Sequence, residues 1–485
     1  MTLCKQWLDA PGHRLVALEK RPIAPGQSLL VPGQWHVAPK KQVNARTTTA
    51  GGRLFVRGSR FTEDRTNGTP LQTNDSDFRQ WSAGADTPAA GGFLALRAWG
   101  GGQDYHQTFT AVAADRASER LTRAQSVPAD TAGGSIQWSR PLSDRHALVG
   151  GLDLREVHGS SDELVFGGSG PPTLVSAGGR QRTGGLYLED VARLTPRLSL
   201  TIGGRFDSWT NDGEKRSGAA PETRLPRRDE SAWSPRAALL FQATERWAWT
   251  ASAYKAFRAP TLNELYRAFR VGDVLTVANE NLRAERLTGG ETGALFSSHA
   301  GRLTARGTLF WMDVDQTIAN VTLSSVPGLI TRQRQNLGST RSRGIEAEIT
   351  ARAGDRWTLT GGWLLSDARV VTAPAQPDLE GLRLAQVPRS QATLQIRFDD
   401  PRLATAALQA RWTGAQFDDD QNLFLLRSFT TVDALVSRSL GVWLRGLSLF
   451  AAGENLLDQR YDVGRTPLRT LGPPRLLRVG VRIER

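Results

Sequence analysis

The sequence predicts an all-β chain: a transmembrane, antiparallel, up-and-down β-barrel of about 18–22 strands with short periplasmic turns and long extracellular loops. Three observations lead there. Strand-length segments alternate apolar and polar residues, no apolar run is long enough for a helical span, and short and long connections take turns along the chain.

The alternation is plainest near the C-terminus, where Leu477, Val479, Val481 and Ile483 interleave with Arg478, Gly480, Arg482 and Glu484. Successive side chains of a strand point to opposite faces, so this segment has one dry face and one charged face. Leu394, Ile396 and Phe398 against Gln395 and Arg397 repeat the pattern. So do Leu303, Ala305, Gly307, Leu309 and Trp311 against Thr304, Arg306 and Thr308. In chain order, strands are expected near Arg53, Phe78, Phe93 and Tyr105, then near Thr131, His146, Gln181, Arg197, Ala232 and Trp247. The rest begin near Gly289, Arg302, Arg343, Arg356, Arg389, Arg402, Ser428, Gly446 and Arg475. Trp138, Trp209, Trp247, Trp357, Trp363 and Trp412 lie near strand ends, where aromatic rings favour a membrane–water interface.

Thr195-Pro196-Arg197, Arg140-Pro141-Leu142, His299-Ala300-Gly301, Ala353-Gly354-Asp355 and Asp399-Asp400-Pro401 carry the chemistry of tight turns. Between them fall longer polar stretches, residues 211–230, 259–288, 317–342 and 370–388. Outer-membrane barrels sort their connections in this way, whereas a soluble sandwich has no reason to. Before Thr131 the parity of strands and turns does not close.

Composition sets the limits. The 485 residues include 49 Gly and 24 Pro, with 39% hydrophobic residues and a mean hydropathy of −0.36. No run of about eighteen apolar residues occurs, which excludes a helical membrane protein. The net charge of +13 and the pI near 10.6 raise nucleic-acid binding. The basic residues are scattered singly through strands, so a charged lumen, or loops meeting lipopolysaccharide, explains them equally well, and plain solvation of a barrel wall is the favoured reading. Cys4 stands alone, and His13, His36, His106, His146, His158 and His299 show no ligand spacing, so no cofactor or metal site is expected. No serine triad, phosphate loop or zinc pattern points to an enzyme.

A series of seven segments carries a resemblance. Lys255-Ala256-Phe257-Arg258-Ala259-Pro260-Thr261-Leu262-Asn263-Glu264-Leu265-Tyr266 is followed by Asn279-Glu280-Asn281-Leu282-Arg283-Ala284-Glu285 and by Glu291-Thr292-Gly293. Asn336-Leu337-Gly338 and Ser342-Arg343-Gly344-Ile345-Glu346-Ala347-Glu348 come next. Glu454-Asn455-Leu456-Leu457-Asp458-Gln459-Arg460-Tyr461 and Gly472-Pro473-Pro474-Arg475 close the set. In order and spacing these segments resemble TonB-dependent outer-membrane receptors over the last two thirds of the chain. Their Asn, Gly, Asp and Pro residues are expected to shape turns and strand entries rather than to mark a ligand site.

The resemblance implies an outer-membrane receptor for energised uptake of a ferric siderophore or a corrinoid. Its implied partners are outer-membrane lipid and lipopolysaccharide, that ligand, and the TonB energy-transducing complex, with no nucleic acid and a monomeric state. It also implies a signal peptide and a plug. Residues 1–50 resemble neither, and the chain ends on Arg485 where the family ends on an aromatic residue. The expectation is an irregular segment 1–50 followed by a barrel, 51–485, lacking its plug. A plugless passive porin is the second reading, and a soluble basic β-rich binding protein the third. For ligand contact, Arg267, Phe269 and Arg270, or Arg332 and Arg334, are loop candidates, but ordinary exposed loop charge is the favoured reading, so no site residue is assigned. Asp418-Asp419-Asp420 and Asn74-Asp75-Ser76-Asp77 raise a divalent cation, with a solvated acidic loop as the favoured reading.

Overall fold

The computed structural model describes His36–Val37, Lys41–Thr49 and residues 51–483, apart from 114, 168–169, 272–273, 442–445 and 467–468. Nineteen strands follow one another as a continuous antiparallel meander. They are β1 (Lys41–Thr49), β2 (Gly52–Thr66), β3 (Thr73–Ala89), β4 (Gly92–Val112), β5 (Glu119–Pro141), β6 (His146–Val165) and β7 (Thr173–Thr195). Next come β8 (Leu198–Ser217), β9 (Thr223–Gln242), β10 (Trp247–Arg258), β11 (Glu285–Ser297), β12 (Leu303–Asp315) and β13 (Ser339–Ala353). The last six are β14 (Trp357–Thr372), β15 (Ser390–Asp400), β16 (Ala404–Thr413), β17 (Phe429–Ser439), β18 (Leu447–Glu454) and β19 (Leu476–Ile483). The short pair His36–Val37 also lies against β2, one step before β1.

Period-two patterning sets the two faces of the wall. Leu154, Leu186, Phe206, Trp233, Leu309, Leu394 and Val479 are exposed on the outside. The intervening positions turn inward and carry charge. Arg205 donates to Asp153 at 2.6 and 3.1 Å and to Asp207 at 2.6 Å, while Arg236 pairs with Glu189 and Arg411 with Asp433. Paired in this way, guanidinium and carboxylate groups can face a wet lumen without leaving a bare charge in low dielectric.

One end of the wall has tight turns and the other has long loops. Residues 90–91 join β3 to β4 with φ of 50° at Ala90 and 69° at Gly91, the left-handed pair that suits hairpin twist. Two residues, 196–197, join β7 to β8. At 401–403 the Asp400 carboxylate accepts the backbone N–H of Arg402 at 2.8 Å. At the opposite end the connections 259–284, 316–338, 373–389, 414–428 and 455–475 hold smaller elements of their own.

Three expectations are corrected here. Phe93 and Tyr105 lie on the single strand β4, which removes the parity failure near the start. Residues 211–230 are not a long loop, because β8 and β9 stay paired to Lys215 and Thr223 and leave only 218–222 as a turn. The strand expected near Thr131 begins at Glu119. All three arise where strands of 20 to 23 residues run beyond the span of about ten that a bilayer requires. Above the bilayer both faces meet water, so alternation vanishes while pairing continues. Lys41–Thr49, within the segment expected to be irregular, form β1. Cys4, His13 and the Pro-rich run from Pro22 to Pro32 lie outside the described residues, as does Arg485.

Candidate functional site: the apical loops

The wall opens before the loops begin. Pairing of β9 with β10 stops at Arg236 and Tyr254, although β9 continues with β8 and β10 with β11. Trp209, only 1% exposed, stacks on Phe257 at this opening, with ring centroids 4.9 Å apart and planes 10° apart. Ala232 and Ala284 complete that small core.

From there the 259–284 loop folds against the wall. Arg258 anchors it through Glu264 at 2.9 Å and Glu285 at 2.5 Å. The Pro260 carbonyl accepts from the side chain of Gln181 at 2.9 Å. Thr261 then caps a one-turn helix, α1 (Leu262–Tyr266), through a reciprocal pair of bonds with Glu264. Burial works against ionisation of Glu264, but the Arg258 guanidinium and the Thr261 donors outweigh it and hold the carboxyl below its ordinary value. Leu265, Tyr266 and Leu282 are buried together, and the Tyr266 ring lies on Gly179 and Gly213. A side chain at Gly213 would occupy the space of that ring.

A hairpin of Ile318–Val326 and Leu329–Asn336 lies beside this loop, and Val274–Val277 pairs parallel with Ile330 to Gln333. Side-chain amides complete the join. Asn279 donates to the Arg334 carbonyl at 2.8 Å, and Asn336 bonds both the N–H and the carbonyl of Arg283 at 2.8 and 2.9 Å.

The three aspartates expected to be solvated are used otherwise. Asp418 and Asp419 are buried, and each of the three carboxylates serves its own set of donors. Asp418 accepts from the backbone N–H groups of Arg465 and Thr466 at 2.7 Å each, from the Thr466 hydroxyl at 2.8 Å and from Gln386 at 2.9 Å. Burial opposes ionisation of Asp418, yet these donors prevail and keep its carboxyl below the ordinary range. Asp419 accepts from the N–H groups of Leu423 and Phe424, and Asp420 takes both donors of Thr322 at 2.9 Å. With every carboxylate aimed at a loop donor, the run is a set of staples and not a cation cage. The Asn74–Asp77 run lies on β3, where Asp75 meets His106 and Asp77 meets Arg60 and Arg79. Among the described residues no cluster of three or more His, Cys, Asp or Glu is placed to hold a metal.

The structure brings several loop candidates together. The guanidinium groups of Arg267 and Arg334 lie 5.2 and 5.3 Å from the Phe269 ring centre. Arg267 also approaches Glu163 on β6 at 3.7 Å. Burial pushes its guanidinium below the ordinary value, with Glu163 opposing the shift. Arg332 is drawn toward another loop, donating to Thr466 at 3.2 Å, and Arg270 is exposed beside Phe269. Inward residues the sequence did not single out complete the cluster. Glu163 accepts from Arg123 at 3.0 Å and from Gln125 at 2.9 Å, and both Gln125 and Glu163 are buried. Their signal was weak, because isolated polar residues high on a strand read as loop. Chemically, the cluster offers guanidinium and aromatic surface suited to an anionic or planar ligand.

The family model for the TonB dependent receptor-like β-barrel matches residues 31–456. The chain belongs to this family. Members of this family are outer-membrane proteins of Gram-negative bacteria, and the outer membrane is where this barrel resides. The chain is 33% identical over 129 residues to the ferrichrome outer membrane transporter/phage receptor of Escherichia coli, covering 26% of this chain and 17% of that protein. It is 24% identical over 347 residues to the metal-pseudopaline receptor CntO of Pseudomonas aeruginosa, covering 66% of this chain and 45% of that receptor. The chain thus matches less than half the length of either relative. Its fold is similar to that of the ferric yersiniabactin uptake receptor FyuA of Yersinia pestis, with a TM-score of 0.74, 13% identity and coverage of 92% of this chain and 70% of that one. These relatives are receptors and transporters, not enzymes.

With the family in place, its motifs gain a structural role. Asn455, buried and in a left-handed backbone conformation at φ 46°, bonds Gln459 and the Pro473 carbonyl and so ties the last loop to its root. The Tyr461 ring stacks on Phe429 at 3.9 Å and lies over Gly472. The Pro260, Thr261, Leu282 and Asn336 contacts above do the same for the earlier loops. The motif residues thus position the loops and their roots.

Proposed function

We propose that this chain is the ligand-gathering barrel of a receptor for energised uptake of a ferric siderophore. The observation that carries the reading is the set of apical loops stitched together above a charged lumen, with Arg267, Phe269 and Arg334 in one cluster. A stitched cap presents a preformed surface, which lowers the ordering cost of gripping a bulky ligand. A ferric siderophore often carries net negative charge and planar donor groups, both suited to guanidinium and aromatic side chains. The named relatives add weight, since two of them take ferrichrome and metal-pseudopaline. A siderophore therefore ranks above a corrinoid. The iron is cargo held by the siderophore and needs no protein ligand.

Uptake would require the TonB complex and a plug able to transmit its pull. The test is a panel of radioiron-labelled siderophores given to receptor-deficient cells expressing the gene, with and without a working energy transducer. The reading expects saturable binding in both hosts and accumulation only in the energised one. Leakage of large hydrophilic solutes without saturable binding would replace it with the passive-porin reading.

A further inference from the structure

We propose that a groove on the lipid-facing side of β12, β13 and β14 seats the phosphate-bearing head group of an outer-leaflet lipid. The groove is a shallow concavity of about 390 Å³. Its lining includes the outward side chains Leu309, Ile345 and Leu365 below, and Arg343, Asp367 and Arg389 above. Trp311 stands opposite Arg343 in the β12–β13 register and is 40% exposed, so the arginines sit where apolar wall gives way to the interface.

The charges at this rim are not balanced. Arg341 is held by Asp313 through bonds of 2.7 and 3.0 Å, and Arg369 by Asp367 at 2.8 Å. Arg343 reaches only the already engaged Asp367, at 3.7 Å, and is 66% exposed. Among the described residues no carboxylate pairs with Arg389, which is exposed. Four arginines against two aspartates leave two positive charges beside an apolar floor. A guanidinium fork matches phosphate oxygens, and acyl chains match Leu309, Ile345 and Leu365.

A second outward concavity serves as an internal control. It is lined by Arg79, Trp81, Asp130, Glu156 and His158. There Arg79 is engaged by Asp104 at 2.8 Å, and Glu156 is engaged by Arg182 at 2.8 Å. With Asp130 added, that rim has no spare positive charge. The two grooves share an aromatic edge and differ in charge, so lipid phosphate favours the first.

The test compares wild-type protein with Arg343→Gln/Arg389→Gln, each reconstituted in phosphatidylcholine vesicles doped with bis-phosphorylated lipid A or its dephosphorylated form. Bound lipid is counted by native mass spectrometry after extraction. Loss of two charge-assisted contacts should lower retention of the phosphorylated lipid about tenfold, with Arg79→Gln unchanged. Dephosphorylated lipid should be retained poorly by every variant. The single variant Arg389→Gln gives the same comparison if the double variant fails to fold. Equal retention by wild type and variants would overturn the proposal. So would full displacement of the lipid by millimolar inorganic phosphate, which would indicate a site for free phosphate. Neither outcome depends on which nutrient the loops take, so this test and the siderophore panel can fail separately.

Discussion

The wall and the apical cap of this protein are held by different means. In the wall, position is set by periodicity, so any residue of suitable polarity serves as long as it falls on the right face. In the cap, position is set by individual side chains: Thr261 on α1, Asn279 and Asn336 between two loops, Asp418 among three segments. A wall built on averages tolerates single changes that do not bring charge to lipid. A cap built on single carboxylates and amides does not, because each removal leaves buried donors or acceptors without their partner.

The largest effect should come where the two regions meet. Trp209→Ala would empty the core at the split between β9 and β10, at a cost of about 3–5 kcal/mol. Protease should then cut the 259–284 loop while the strands below remain resistant. Next, Leu154→Arg places charge on an outward position that is 63% exposed in the isolated chain. Near the bilayer centre this should cost about 2–4 kcal/mol, read as a lower urea midpoint for the folded, heat-modifiable form. That change should leave the protease sensitivity of the cap unaltered until the wall itself unfolds.

Asp418→Asn should act in the opposite sense. It leaves the urea midpoint of the wall alone and loosens the loops at 414–428 and 455–466 by about 1–3 kcal/mol, because one acceptor now faces donors arranged for a carboxylate. Faster amide exchange in those loops is the measurement. The smallest effect is a pH response at the same place. A carboxyl held below its ordinary value stabilises the fold fully above about pH 4, and that stabilisation is lost as pH falls through the depressed value. Loop exchange, corrected for its intrinsic pH dependence, should therefore be flat from about pH 7 to pH 5 and rise below about pH 4. In Asp418→Asn that step should be absent.

The same division explains what could be read from the sequence. Segments crossing the bilayer, such as Leu394 to Phe398 and Leu477 to Ile483, alternate because lipid lies on one side and water on the other, and both emerge as strands. Above the bilayer that contrast ends, so residues 211–230 look like loop although Lys215 still pairs with Thr223. The aspartate run at 418–420 misled for a related reason. Sequence gives its charge but not the donors of Thr322, Arg465 and Thr466, which arrive from loops roughly forty to one hundred residues away. Arg267, Phe269 and Arg334 were legible as loop residues of suitable chemistry. Their convergence on one ring required the parallel pairing of Val274–Val277 with Ile330 to Gln333, which neither segment announces.

We infer that the stitched cap, carried on a membrane wall, gathers the ligand. The most direct test is saturation binding of a radioiron siderophore to intact cells expressing wild-type protein or Asp418→Asn, with heat-modifiable migration confirming equal amounts of folded barrel. Wild type should bind saturably and the variant about tenfold more weakly, since ordering a loosened cap would draw on the binding energy. Identical affinity in the two proteins, or no saturable binding by either, would contradict it.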